Sequence, residues 1–183
     1  MDGMDIIPNE SKTISTLLND KYGRKLNSLR ISLTQRCNLD CFFCHKEGQT
    51  ASSNELSAEE VGKIARIACE LGMGKIKLTG GEPLLRDDLQ DIIREIADYA
   101  DEVSLTTNGV LLEKQAKGLR DAGLQRVNVS LCSTTREGFR RVTTKDCMLQ
   151  VKNGIKAALK SGLLPVKINM VVLKGVNVHE IPN

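Results

Sequence analysis

The feature that most constrains this chain is a repeated switch between two hydrophobic periods. Five short segments alternate apolar and polar residues and read as strands: Leu29–Leu33 (LRISL), Lys75–Thr79 (KIKLT), Glu102–Thr106 (EVSLT), Arg126–Leu131 (RVNVSL) and Val166–Leu173 (VKINMVVL). Helical spacing fills the gaps. Ser57 and Glu60 form a capping box before Val61, Ile64, Ala65, Ile67, Ala68 and Leu71, and Gly72 closes that run. Leu89, Ile92, Ile93 and Ile96 mark a second helix over 89–99. Residues 113–122 and 151–161 give two more, closed by Gly123 and Gly162. Strand–helix alternation with short links predicts right-handed crossovers and a parallel sheet, hence an α/β fold. A barrel-like and a doubly wound layout both fit, and both collect chemistry at the C-terminal ends of the strands. Residues 34–47, 80–83, 107–109 and 130–133 fall at those ends.

The first of these loops, TQRCNLDCFFCHKEG, carries Cys37, Cys41 and Cys44 in C-x3-C-x2-C spacing. Core packing does not explain three thiols within eight residues of loop. Soft-metal ligation does, with an iron–sulfur cluster, zinc and no metal as the readings to separate. Three thiolates can hold three irons of a [4Fe–4S] cluster and leave the fourth iron for a small molecule. A structural zinc site wants a fourth ligand, for which His45 is the candidate. Cys69, Cys132 and Cys147 are scattered. Cys69 reads as core, and Cys132 as a free thiol near the strand ends.

Composition narrows the classes. Lys plus Arg number 26 against 23 Asp plus Glu, a net charge of +3 spread evenly, and aromatics are 3% with no Trp. A dedicated nucleic-acid binder is not expected. No apolar run approaches ~20 residues and the N-terminus lacks a basic-then-apolar start, so neither a membrane partner nor secretion is expected. The expected location is the cytoplasm, which also suits reduced thiols.

The triplet with an aromatic, Phe43, before its third Cys resembles the radical S-adenosylmethionine (SAM) signature, and TGGEP after the second strand resembles that superfamily's SAM motif. GRKLNSLRISLTQRCNLDC, KIKLTGGEPLLRDDL, LTTNGVLL, GLQRVNVSL and VKINMVVLKGVN together resemble the GTP 3′,8-cyclase family over residues 20–182. The resemblance implies a partial TIM-like radical SAM barrel, cut after about the fifth strand. Residues 1–23 would be an N-terminal arm and 24–183 an incomplete core domain, with a C-terminal second-cluster domain lying outside the chain. It implies a radical SAM lyase that converts GTP to 3′,8-cyclo-7,8-dihydro-GTP in molybdenum-cofactor biosynthesis, with these residues as a fragment that is not fully active alone. Another radical SAM enzyme and a non-catalytic metal-binding module are the alternatives.

By matching motif, Cys37, Cys41 and Cys44 would hold the [4Fe–4S] cluster. Phe43, Gly81, Glu82 and Ser130 would lie against SAM, with Glu82 as partner of its amino group. Arg30, Lys77, Thr106 and Lys167 would contact GTP. Lys77 stands where many relatives carry Arg, keeping the charge without the planar fork. The expected partners are GTP and a reductant protein such as ferredoxin or flavodoxin, with a homodimer among the expected assemblies.

Overall fold

The computed structural model describes residues 18–45 and 54–181. The expected turn at Ile14–Leu18, most of the N-terminal arm and the final Pro182–Asn183 lie outside these residues, except Leu18 itself. Five parallel strands form one sheet in the order β1-β2-β3-β4-β5: β1 Ser28–Ser32, β2 Lys75–Thr79, β3 Glu102–Thr107, β4 Arg126–Ser130 and β5 Val166–Asn169. The strand order never reverses. A doubly wound sheet needs a switch point, so right-handed crossovers here place every helix on one face, as in a barrel.

The helices are α1 Ala58–Glu70, α2 Leu89–Ala97, α3 Leu112–Asp121, α4 Arg136–Thr143 and α5 Met148–Lys160. The capping box forms as expected: the Ser57 side chain accepts from Glu60 N, and the Glu60 carboxylate accepts from Ser57 N. α1 to α3 and α5 follow the apolar spacing, although α5 begins three residues earlier than the sequence suggested. Ile76, Leu78, Val103, Leu105, Val127 and Val129 of the strands are buried with Ile92, Ile93, Ile96, Leu119 and Val151 of the helices. At about 25 cal/mol per Å² of apolar surface, this layer is the main stabilising term.

Two expectations need correction. β5 ends at Asn169 rather than Leu173. Beyond it Asn177 captures the chain, its side chain accepting from Leu173 N and donating to Val171 O, so residues 171–173 leave the sheet and lead into a turn over 174–177. Apolar residues alone could not distinguish that turn from a strand. α4 was not anticipated at all. It is eight residues long and shows only Phe139 and Val142 as an apolar pair, and its Thr135 N-cap accepting from Gly138 N is its clearest signal.

Candidate functional site

The sheet's second face is polar throughout. Register places Arg30 beside Lys77 and Lys77 beside Ser104. Thr106 pairs with Asn128 and Asn128 with Lys167, while Ser130 pairs with Asn169. Period-two alternation puts Ser32 and Thr79 on this face as well. A filled barrel would pack branched apolar side chains here. Hydroxyls, amides and cationic side chains instead suit a polar ligand. Arg30, Lys77, Thr106, Ser130 and Lys167, chosen from sequence, thus share one face. Sequence reasoning passed over Asn128, which sits between Thr106 and Lys167, although its even spacing from Ser130 within RVNVS placed it on that face.

The cysteine loop leaves β1 and crosses the C-terminal end of this sheet. Its first limb lies on the double glycine: Gly81 N donates to Thr34 O at 2.6 Å, and Glu82 N donates to Arg36 O at 2.7 Å. A Cβ on Gly80 would stand 2.7 Å from Thr34 O, and one on Gly81 would meet Gln35 O at 2.7 Å and overlap Arg36 O. The glycines therefore admit the cysteine loop's backbone, a close approach only a bare Cα allows. The middle of the loop is held from α4, which sequence reasoning missed: Asp40 N and Phe42 N donate to Thr143 O and Val142 O, each at 3.2 Å. These are carbonyls that the helix C-terminus leaves free.

Glu82 is held by its own neighbours in the fold. The sequence assigned its carboxylate to the SAM amino group, but the residue is fully buried. It accepts from Thr107 Oγ1 at 2.7 Å, Asn108 N at 2.7 Å and Leu84 N at 3.0 Å. Burial pushes its pKa up, and these hydrogen bonds offset only part of that. Glu82 braces the loop after β2 against the end of β3. Asn108 extends the brace, its side-chain amide donating to Asn38 Oδ1 at 2.7 Å and facing Cys37 Sγ at 4.0 Å. Leu39 N also points at that sulfur, at 3.5 Å.

The donor set fits a cluster. Cys37 and Cys44 are exposed and Cys41 is half-buried, and all are free thiols. Burial pushes the Cys41 thiol up to about 12, with further contributions from Cys132, Cys37, Cys44 and Asp40. The three loop thiols thus lie within one another's fields, where their anions repel until a cation joins them. N–H groups aimed at Cys37 Sγ are the outer support that iron–sulfur thiolates use. Among the described residues no three His, Cys, Asp or Glu side chains converge on a single ion. A cluster spreads its ligands over separate irons and does not require such convergence. Phe42 and Phe43 are exposed beside it, their rings edge-to-face with centroids 6.1 Å apart.

Ser130, exposed at the end of β4, is followed by Cys132 and Ser133, both buried. Asn177 donates to Cys132 O at 2.7 Å. The Glu180 carboxylate accepts from Ser133 Oγ at 2.8 Å and from the Thr134 hydroxyl at 2.9 Å. The chain after β5 therefore shapes the loop after β4.

A singly wound parallel half-barrel with a three-cysteine loop at the end of its first strand defines a cofactor-dependent α/β enzyme fold. The chain belongs to the radical SAM superfamily, whose sequence profile matches residues 31–183. It is 53% identical over 165 residues to a probable GTP 3′,8-cyclase of Archaeoglobus fulgidus, covering 90% of this chain and 55% of that protein. It is 50% identical over 163 residues to the probable GTP 3′,8-cyclase of Methanothermobacter thermautotrophicus, covering 88% and 53%. The chain thus spans about half the length of the curated relatives it matches. Among solved structures it resembles Streptococcus suis SuiB bound to S-adenosylmethionine (TM-score 0.67, 22% identity, 81% of this chain and 33% of that one). It also resembles HydG, a maturase of the [FeFe]-hydrogenase (TM-score 0.65, 16% identity, 88% and 38%). These likenesses show the fold. Among the described residues no helix is long and apolar enough to cross a membrane.

Proposed function

We propose that this chain is the N-terminal, cluster-bearing part of a GTP 3′,8-cyclase. The reading is carried by identity of 50–53% to proteins of that name, running along about nine-tenths of the chain. The cationic side chains of the polar sheet face support it.

Cys37, Cys41 and Cys44 would hold a [4Fe–4S] cluster, with SAM on its open iron. That pair supplies a hydrogen-abstracting radical when bound. The protein's own residues do the rest by positioning. Arg30, Lys77 and Lys167 bring positive charge to one face, which suits a triphosphate. Thr106 and Ser130 offer hydroxyls beside them, Ser130 towards SAM and Thr106 towards GTP. Gly81 would lie against SAM, and Phe43 offers an apolar surface for the adenine. Glu82 serves this site as a brace. Net conversion of GTP to 3′,8-cyclo-7,8-dihydro-GTP also needs electrons, for which a ferredoxin- or flavodoxin-type reductant is the fitting partner. Such a system belongs in the cytoplasm, and the guanine-binding domain belongs to the part of the relatives outside this chain.

GTP binding to the anaerobically reconstituted full-length protein tests the reading. Micromolar affinity that weakens at least tenfold in Arg30→Ala is expected, the size of losing a charge-assisted contact. A reconstituted cluster without GTP binding at high micromolar concentration would assign the chain to another radical SAM reaction. Zinc retention without cluster absorbance would overturn the enzyme reading itself.

A further inference from the structure

The turn after the double glycine ends in an arginine whose side chain is almost entirely buried. Arg86 is 6% exposed. Its guanidinium grips Asp88 with two parallel bonds, Nε to Oδ1 at 2.8 Å and NH2 to Oδ2 at 2.6 Å. The remaining donors reach two backbone carbonyls far apart in sequence: NH1 to Leu33 O at 3.1 Å and NH2 to Leu56 O at 2.8 Å. Leu33 O is the last carbonyl before the cysteine loop, and Leu56 O lies just before the cap of α1. A second clasp lies beside this one. Glu55 accepts from the Thr34 hydroxyl, and from Arg36 Nε and NH2, each at 3.2 Å. Both clasps join the residues leading into Cys37 to the residues leading into α1.

We propose that Arg86, assisted by Glu55, is a positioning residue that closes the base of the cysteine-bearing segment and so holds Thr34–Arg36 where Cys37 must begin. The inference rests on the reading of Cys37, Cys41 and Cys44 as cluster ligands. A long segment closed only by its strand and helix would place its thiols with the entropy of an open loop. Arg86 fixes both ends to one rigid point, and the Asp88 fork fixes the guanidinium itself. The same turn holds Thr34 and Arg36 through Gly81 N and Glu82 N. One short stretch, Gly80 to Asp88, therefore sets the sheet-end loop and the mouth of the cluster loop together. Lysine in place of Arg86 keeps the charge but cannot grip Asp88 and both carbonyls at once.

The test is cluster retention in the full-length protein after anaerobic reconstitution with ferrous iron and sulfide. Arg86→Gln should lose iron to a chelator about tenfold faster than the parent, the size of effect typical of outer supports of metal ligands. Its reduced-state EPR line shape should change, and Arg86→Lys should fall between the two. A merely structural arginine would lower the melting temperature without changing the line shape or the release rate of the folded fraction. If Arg86→Gln does not fold, Glu55→Gln decides, because Glu55 is only partly buried and lies outside the apolar core; release at least threefold faster is expected. Release within twofold of the parent and an unchanged EPR signal in the folded variants would overturn the proposal. A parent that assembles no cluster would overturn the assignment of the cysteines and this proposal with it.

Discussion

Glu82 Oε1 lies 2.7 Å from the Thr107 hydroxyl, joining the loop after β2 to the end of β3. Asn108 N on Oε2 and Leu84 N on Oε1 complete the set. Glu82→Ala would leave three donors facing an apolar gap. An unsatisfied buried donor costs about 1–3 kcal/mol, so the variant should lose about 3 kcal/mol or more once partial relaxation is allowed. Urea unfolding of the apoprotein measures it. A loss below about 1 kcal/mol would mean the donors find other acceptors.

The same carboxyl gives a pH dependence with a definite sign. Burial raises its folded pKa above the ordinary 4.5. The folded state therefore holds the proton more tightly than the unfolded chain. That contribution is fully present below about pH 4.5 and is lost as pH rises through the raised folded value. Glu82→Gln removes the titration while keeping the shape. The variant should be less stable than the parent at about pH 4, because its amide places a donor against a donor. The gap should narrow as pH rises towards about 8. Urea midpoints of the two apoproteins across that range check this, and a constant gap would show that Glu82 does not titrate there.

Gly81→Ala would drive a methyl into the Gln35 and Arg36 carbonyls. Both belong to backbone, so neither can swing aside. Overpacking of this kind costs about 1–3 kcal/mol, and here the strain falls on the limb entering Cys37. The expected result is a folded protein that binds clearly less iron on reconstitution. Gly72→Ala is the control. Its φ is +92° with nothing near its Cβ, so it should cost stability without reducing iron content.

What was legible in the sequence was whatever repeats over several residues. The strands, four helices, the Ser57 cap and the polar sheet face all follow from period and spacing. The triplet was legible because Cys37, Cys41 and Cys44 are close in the chain. The supports of that loop were not, because they come from distant places. Val142 and Thr143 meet it through backbone carbonyls, which leave no mark on residue type. Resemblance assigned Glu82 to the SAM amino group, and only the fold reveals that its carboxylate is buried on Thr107, Asn108 and Leu84. The backbone that packs against Gly80 and Gly81 is that of Thr34, Gln35 and Arg36, a neighbour far off in the chain that residue type does not reveal.

Cys41 should be unusually inert in the apoprotein. Its thiol is pushed up to about 12, about three units above the ordinary 9.0. The thiolate fraction near neutral pH falls about a thousandfold, and the greater nucleophilicity of a more basic thiolate recovers part of that, leaving alkylation roughly thirtyfold slower than at an ordinary cysteine. Mass-spectrometric mapping of iodoacetamide labelling measures the rate. Labelling at the ordinary rate would mean that water reaches the thiol in the apoprotein, so that burial no longer disfavours its anion. Loading iron should release protons from this site and go further as pH rises.

Asn177 stands in the core although it is polar, and every bond it makes is to backbone. Its amide nitrogen donates to Cys132 O at 2.7 Å and Val171 O at 2.8 Å, and its oxygen accepts from Leu173 N at 2.7 Å. The residue is fully buried, so truncation cannot be repaired by bulk water. Asn177→Ala should cost about 2–4 kcal/mol, the sum expected when several backbone groups lose their partners and one is left unpaired. Asn177→Asp keeps the acceptor but sets a carboxylate against two carbonyls, and should be at least as damaging at neutral pH. The loop it shapes follows Ser130, so both variants should also weaken SAM binding to the reconstituted full-length protein, while Thr134→Ala, at an exposed position, should weaken it less. Equilibrium unfolding and SAM titration separate the two effects: intact SAM affinity in a destabilised Asn177→Ala would confine the residue to folding.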